Sequence, residues 1–238
     1  MTGVRLLYGG TFDPVHLGHL QIARAVSARL DAPVHLVPAA DPPHRVVPGA
    51  SAEQRAHMLD IAIADDPRLR VDRRELRRRR PSYTVDTLVE VRDELGARAC
   101  IVWVLGIDSV LQLGSWHHWH RMLALANLLG VQRPKTRVGQ EWLAARAPDV
   151  HAELAPHWTR PERLLRQPAG AYAALALRPL RRESATDVRA RIASGRAWHG
   201  LVPPGVAAFI QANRLYGAAP DGPGIIAPRQ PPSIEGTR

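Results

Sequence analysis

The 238-residue chain is 45% hydrophobic, carries a formal net charge of +10 and contains one cysteine, Cys100. That length can bury one sizeable core, a single cysteine excludes an internal disulfide and fits a reducing cytoplasm, and no apolar run approaches the ~18 residues of a membrane-spanning helix. The charge admits polyanionic ligands without demonstrating them. It is nearly all arginine, with Lys135 the only lysine, a skew that points to genomic composition.

The opening MTGVRLLYGG lacks a signal-peptide layout, and its residues 4–8 read as a buried strand that stops at Gly9-Gly10. A soluble, cytoplasmic protein is expected. Leu17, Leu20, Ile22, Ala23, Val26 and Leu30 recur near helical spacing and predict a helix over 17–30. VHLVPA (34–39) is a second strand, closed by the loop ADPPHRVVPG. Residues 51–65 open with a serine cap and an acidic first turn, then alternate faces like an amphipathic helix. Residues 69–76 read as an edge strand, 84–95 as a helix, 98–108 as an apolar strand ending in Gly106 and Asp108, and 126–134 as a further strand.

This alternation predicts an α/β fold: a Rossmann-like, doubly wound parallel sheet with helices on both faces. Ligands bind such sheets beyond the carboxyl ends of the strands, where the strand order reverses. Residues 135–170, with Pro148, Pro156, Pro161 and Pro168 and one helix-like piece, QEWLAARA, read as an irregular peripheral insertion. Helical patterning returns over 183–195, and 203–217 is a closing helix begun by proline. The expected organisation is one domain over 1–217 and a Pro/Gly-rich, disordered tail over 218–238. No internal repeat is present.

The chemistry concentrates in GGTFDPVHLGHL (9–20). Gly9 and Gly10 let the backbone approach a ligand, Thr11 adds a hydroxyl, and the helix start near residue 17 offers unpaired N–H groups to a phosphate. His16 and His19, one helical turn apart, share a side; imidazoles can donate to phosphate oxygens. The pair alone fits a structural role better than metal ligands, since zinc needs three or four ligands. Asp13, before Pro14, reads as shaping the turn.

The whole string resembles the signature of the nucleotidyltransferase superfamily with the His-x-Gly-His motif, and within it the bacterial nicotinate-nucleotide adenylyltransferases. PPHR (42–45), PSYTVDTL (81–88), LGIDS (105–109) followed by Trp116, QRP (132–134), ESATDVR (183–189) and the closing LVPPGVAAFIQANRLYG are similar to that family's motifs, in its order. Coverage runs from about residue 4 to 217. Two positions depart from the pattern: Glu183 replaces an apolar residue, and Ile107 a small residue or Gln.

The resemblance implies transfer of AMP from ATP to nicotinate mononucleotide, giving nicotinate adenine dinucleotide and pyrophosphate, with Mg²⁺ accompanying ATP. It implies an ATP site of Gly9, Gly10, Thr11, Phe12, His16, His19, Gly106, Asp108, Ser184, Thr186 and Arg189, with His16, His19 and Arg189 catalytic. For the acceptor it points to His44, Arg45, Tyr83, Thr84, Trp116 and Arg133. Plain readings stand beside these: Ser184 as a helix cap, Asp108 as a cap, Trp116 as core filling with Trp119 an equal candidate, and His44 and Arg45 in an exposed loop. Three other functions remain open at this level: the same chemistry on nicotinamide mononucleotide or another phosphate, a non-catalytic basic nucleic-acid-binding module, and a zinc site at His16 and His19. The arginine-rich RRELRRRRP (73–81) reads as a solvated face with no aromatic to stack bases. The sequence leaves homo-oligomerisation open.

Overall fold

The computed structural model describes residues 3–40, 49–78 and 81–219. The expected disordered tail therefore lies almost wholly outside the described residues, as do His44 and Arg45. In chain order the elements are β1 (Val4–Gly10), α1 (Leu17–Leu30), β2 (Val34–Pro38), α2 (Ala52–Ile63), β3 (Leu69–Val71), α3 (Thr84–Leu95), β4 (Cys100–Gly106), α4 (Ile107–Val110), α5 (Met122–Leu125) and β5 (Asn127–Val131). They continue with α6 (Gln140–Ala144), α7 (Pro148–Leu154), β6 (Trp158–Thr159), β7 (Tyr172–Leu175), α8 (Ala185–Ala193) and α9 (Pro204–Ala212). No helix among the described residues is long and apolar enough to cross a membrane.

Among the described residues the strands form one sheet in the order β3-β2-β1-β4-β5-β7-β6, and every pairing is parallel. The central strand, β4, is buried from Cys100 to Leu105, as a strand covered on both faces must be. Its side chains alternate between two cores. Cys100, Val102 and Val104 join Leu6, Tyr8, Leu36 and the apolar sides of α1, α2, α8 and α9. Ile101, Trp103 and Leu105 join Leu7, Val37, Leu88 and Val91 of α3, and Met122 and Leu123 of α5. The chain winds outward from β1 to β3 and then returns to place β4 on the other side of β1. The carboxyl ends of β1 and β4, at Gly10 and Gly106, therefore flank the point where the order reverses.

Segment 135–170, expected to be irregular and peripheral, is built into the fold. Leu143, Val150 and Leu154 enter the second core, Leu164 the first, and β6 forms one edge of the sheet. Asn127, fully buried, fastens it: its amide donates to the carbonyls of Leu164 (2.9 Å) and Gln167 (3.0 Å) and accepts from Ala171 N–H (2.9 Å). Strand β7 has no counterpart in the sequence reading, because the alanines of AYAALAL carry little strand preference. The predicted edge strand over 69–76 is three residues long; Glu75–Arg77 form a single 3₁₀ turn.

Candidate active site

Gly9 and Gly10 end β1. A Cβ on Gly9 would overlap the indole of Trp103, so this strand crosses β4 so closely only with glycine there. Gly10 carbonyl accepts from Ala39 N–H (2.9 Å), and Thr11 carbonyl from the guanidinium of Arg55 (2.7 Å). Phe12 is buried with a left-handed backbone (φ 52°), and its ring lies 5.0 Å from that of His19. Such a conformation in a bulky residue costs on the order of 1–2 kcal/mol and is kept only where the surroundings over-determine it.

His16 caps α1 and is fully buried; His19 stacks on it at 3.7 Å between ring centroids and is partly exposed. His16 N–H donates to His19 Nδ1 (3.3 Å). With its Nδ1 accepting, a neutral His19 carries its proton on Nε2, which makes that atom a donor. Both ring nitrogens of His16 are buried and without a partner among the described residues. Burial, with the Arg133 guanidinium second, pushes the His16 imidazole down to about 3; burial, His16 and Arg133 hold His19 well below the usual histidine range. Burial thus holds the pair neutral. Asp13, the nearest carboxylate in sequence, is occupied by the amides of Gly49 and Ala50 and by the Tyr216 hydroxyl, and the described residues hold no group of three metal-ligand side chains.

These shifts set a pH dependence. An unfolded histidine takes a proton as pH falls through about 6.5, whereas His16 refuses one until about 3 and His35, also depressed by burial, until about 4. Their contribution to stability is full above pH 6.5 and shrinks as pH falls through that window, for His16 at up to about 1.4 kcal/mol per pH unit. The urea midpoint of the protein is expected to fall between pH 6.5 and 4.5 more steeply than that of a His16→Gln variant. Equal slopes would show that His16 takes up its proton normally.

Arg133 faces this pair, and Asp108 shares its place at Gly106. A Cβ on Gly106 would overlap the Asp108 carboxylate and stand 3.2 Å from Arg133 Cγ, so both side chains lie over the end of β4. Tyr8, buried on β1, is pushed up to about 12 by burial, while Arg133 hydrogen-bonds its hydroxyl and opposes the rise. Arg133, expected on the acceptor side, thus stands close enough to Tyr8, His16 and His19 to act on all three.

Helix α8 starts beside α1: a Cβ on Gly18 would stand 3.3 Å from Glu183 carbonyl. Ser184 caps it, accepting from Asp187 N–H at 3.1 Å, and Thr186 is exposed on its first turn. Glu183, the departure from the family pattern, pairs with Arg181 at 2.7 Å. Arg189 reaches back to donate to Asp13 carbonyl, with its guanidinium 3.6 Å from the Asp13 carboxylate.

Two of the expected acceptor residues lie at the start of α3. Tyr83 caps the helix, Thr84 is its first residue, and the Tyr83 ring is 4.3 Å from His117. Trp116 packs at the margin of the second core while Trp119 is buried within it, which separates two tryptophans that looked equivalent in sequence. Beneath them Arg78 donates to Ser82 Oγ (2.6 Å) and Thr87 Oγ1 (2.8 Å), and Thr87 donates to the buried Glu75 (2.6 Å). Burial pushes the Glu75 carboxyl up, against the lowering effect of that bond. Arg73 pairs with Asp60, Arg74 with Asp72 and Glu94, and Arg78 with Glu90. Three of the six arginines of RRELRRRRP are therefore engaged in ion pairs.

Sequence reasoning missed Arg55, Tyr8, Glu75 and Tyr216. Arg55 left a trace: a cation on the apolar stripe of α2 with Ala56, Met58, Leu59 and Ile63, a position that side chains of its kind occupy only when bonded.

The cytidylyltransferase-like family model matches residues 7–191. A protein of Stenotrophomonas maltophilia, named "Probable nicotinate-nucleotide adenylyltransferase", is 48% identical over 91% of this chain and 98% of its own; one of Cronobacter sakazakii with the same name is 44% identical over 88% and 94%. Among solved structures, the nicotinic acid mononucleotide adenylyltransferase of Plasmodium falciparum, complexed with NaAD, has a TM-score of 0.70 and 15% identity, covering 92% of this chain and all of its own. That likeness speaks for the fold.

Proposed function

The chain belongs to the cytidylyltransferase-like family and, within it, to the nicotinate-nucleotide adenylyltransferases, and from that premise we propose that it transfers AMP from MgATP to nicotinate mononucleotide, in the cytoplasm. The observation that carries the reading is the His16–His19 stack at the start of α1, neutral, beside Arg133 and at the switch point of the sheet.

A phosphate oxygen of the mononucleotide attacks the α-phosphorus of ATP in line; the bond from that phosphorus to the β-phosphate oxygen breaks, and pyrophosphate leaves with the electron pair. Such a displacement calls for positioning and charge stabilisation more than for a protein nucleophile. Mg²⁺ arrives with the phosphates as part of the substrate. His19 and Leu20 N–H are taken by the His16 carbonyl, so the N–H groups of Leu17 and Gly18, which have no carbonyl within the helix, and its dipole hold phosphate oxygens. His19, protonated on Nε2, donates to the oxygens that gain charge. His16 offers a second imidazole, and the incoming negative charge offsets the burial that keeps both neutral. Ser184, Thr186 and Arg189 add a second phosphate contact at α8, Gly9, Gly10, Thr11 and Phe12 wall the nucleotide, and Asp108 over Gly106 takes ribose hydroxyls. Arg133 serves both substrates from its place between Tyr8 and the histidines.

On the acceptor side Trp116 stacks on the pyridine ring and the N–H groups at Thr84 take its carboxylate. A helix start favours an anion over a neutral amide, which sets the preference for the acid. His44 and Arg45, outside the described residues, are assigned to the acceptor's phosphate on the family match alone.

Purified protein with MgATP and either nicotinate or nicotinamide mononucleotide is expected to release pyrophosphate much faster with the acid. Faster release with the amide would reassign the acceptor. Release with neither, by folded protein that binds ATP, would refute the proposal.

A further inference from the structure

Asp13 is 5% exposed, yet its carboxylate is fully bonded. Oδ1 takes the Tyr216 hydroxyl (2.7 Å) and Ala50 N–H (3.2 Å), and Oδ2 takes Gly49 N–H (3.0 Å). Arg189 donates to the carbonyl of the same residue. Tyr216 comes from the last turn of the described chain, and its backbone is held left-handed (φ 59°). A Cβ on Gly49 would stand 2.7 and 2.8 Å from two carbons of the Tyr216 ring and 3.8 Å from Arg189 Cδ. One glycine therefore receives both the tyrosine ring and the arginine stem. Burial first, and the adjacent Asp13 second, push the Tyr216 hydroxyl far up, so it remains a donor at every working pH.

We infer that Tyr216 is a positioning residue for adenylyl transfer: by bonding Asp13 and packing on Gly49 it fixes the loop between β1 and α1 and leaves Arg189 available to the phosphates of ATP. The inference rests on the function proposed above. Arg189 is held at Asp13. To grip a phosphate it must turn from Asp13, and the carboxylate stays compensated only because Tyr216 and two backbone amides keep hold of it. Remove the hydroxyl, and Asp13 retains the guanidinium that ATP needs.

The test is Tyr216→Phe, which keeps the ring against Gly49 and removes only the donor, with ATP affinity measured by calorimetry alongside steady-state kinetics. The expected result is an ATP Kd and KM raised about tenfold, an unmoved KM for the mononucleotide, and a melting temperature close to that of the parent. A purely structural tyrosine would instead lower the melting temperature and leave the ATP constants alone. Unchanged ATP affinity in the folded variant overturns the inference. Should Tyr216→Phe fail to fold, Gly49→Ala displaces the ring while keeping the hydroxyl, and the same constants decide. If the parent binds ATP but uses neither mononucleotide, the proposed reaction fails while the ATP titration still judges Tyr216; if the parent does not bind ATP, both fall.

Discussion

Replacing His19 by alanine is expected to lower kcat on the order of 10²–10³-fold, the loss that follows removal of one preorganised donor to developing charge. The KM for nicotinate mononucleotide should hold, because the side chain is proposed to meet the phosphates of ATP and to act most strongly in the transition state. The structure makes the expectation specific to one atom. His16 N–H occupies Nδ1, so only Nε2 can donate, and the partial exposure of the ring leaves it within reach of a ligand. The substitution also removes the ring stacked on His16 and packed near Phe12. Melting curves must therefore accompany the kinetics. Turnover within a few-fold of the parent, in a folded variant, would take His19 out of the mechanism.

Replacing Arg55 by methionine should destabilise the fold by about 3–5 kcal/mol, as three buried carbonyls each lose a donor at about 1–2 kcal/mol, a large part of the 5–15 kcal/mol typical of a domain. Arg55 is fully buried and donates to three carbonyls: Thr11 (2.7 Å), Ala39 (2.7 Å) and Ala50 (3.3 Å). Methionine fills similar space and donates nothing, so those carbonyls lose a charged donor with no water to replace it. Arg55→Lys should fall between, since a point ammonium cannot span three acceptors that a planar guanidinium reaches together. Urea midpoints at constant m-value measure the difference. A shift of less than about 0.5 kcal/mol would place Arg55 among the ordinary surface substitutions.

The helices were the most legible elements. The bounds of α1 and α3 coincide with the predicted 17–30 and 84–95, because helical periodicity and helix starts are written within a few residues of the element they describe. The sheet end was harder. Strand β7 is alanine-rich and β6 only two residues long, and their place is fixed by Asn127 and by pairing to β5, which local pattern does not carry. In the site the division is similar. Gly9, Gly10, His16 and His19 lie in one contiguous string, and Asp108 and Arg133 each end a readable strand. Asp13 looked like a turn residue because its partners lie 36, 37 and 203 positions away. Arg55 bonds the main-chain oxygens of Thr11, Ala39 and Ala50, and a main-chain oxygen leaves no residue type to recognise.

Those separations bear on when the site comes into being during synthesis. The turn at Asp13 is completed by amides at 49 and 50, by Arg189 and by Tyr216. A ribosome-bound chain can wind β1, α1 and β2 long before the last two have emerged, because the near contacts close short loops first. The loop after β1 then lacks two of its fastenings until residues 189 and 216 have emerged. A product truncated before residue 216 would thus own every histidine of the signature and still lack the last fastening of that loop.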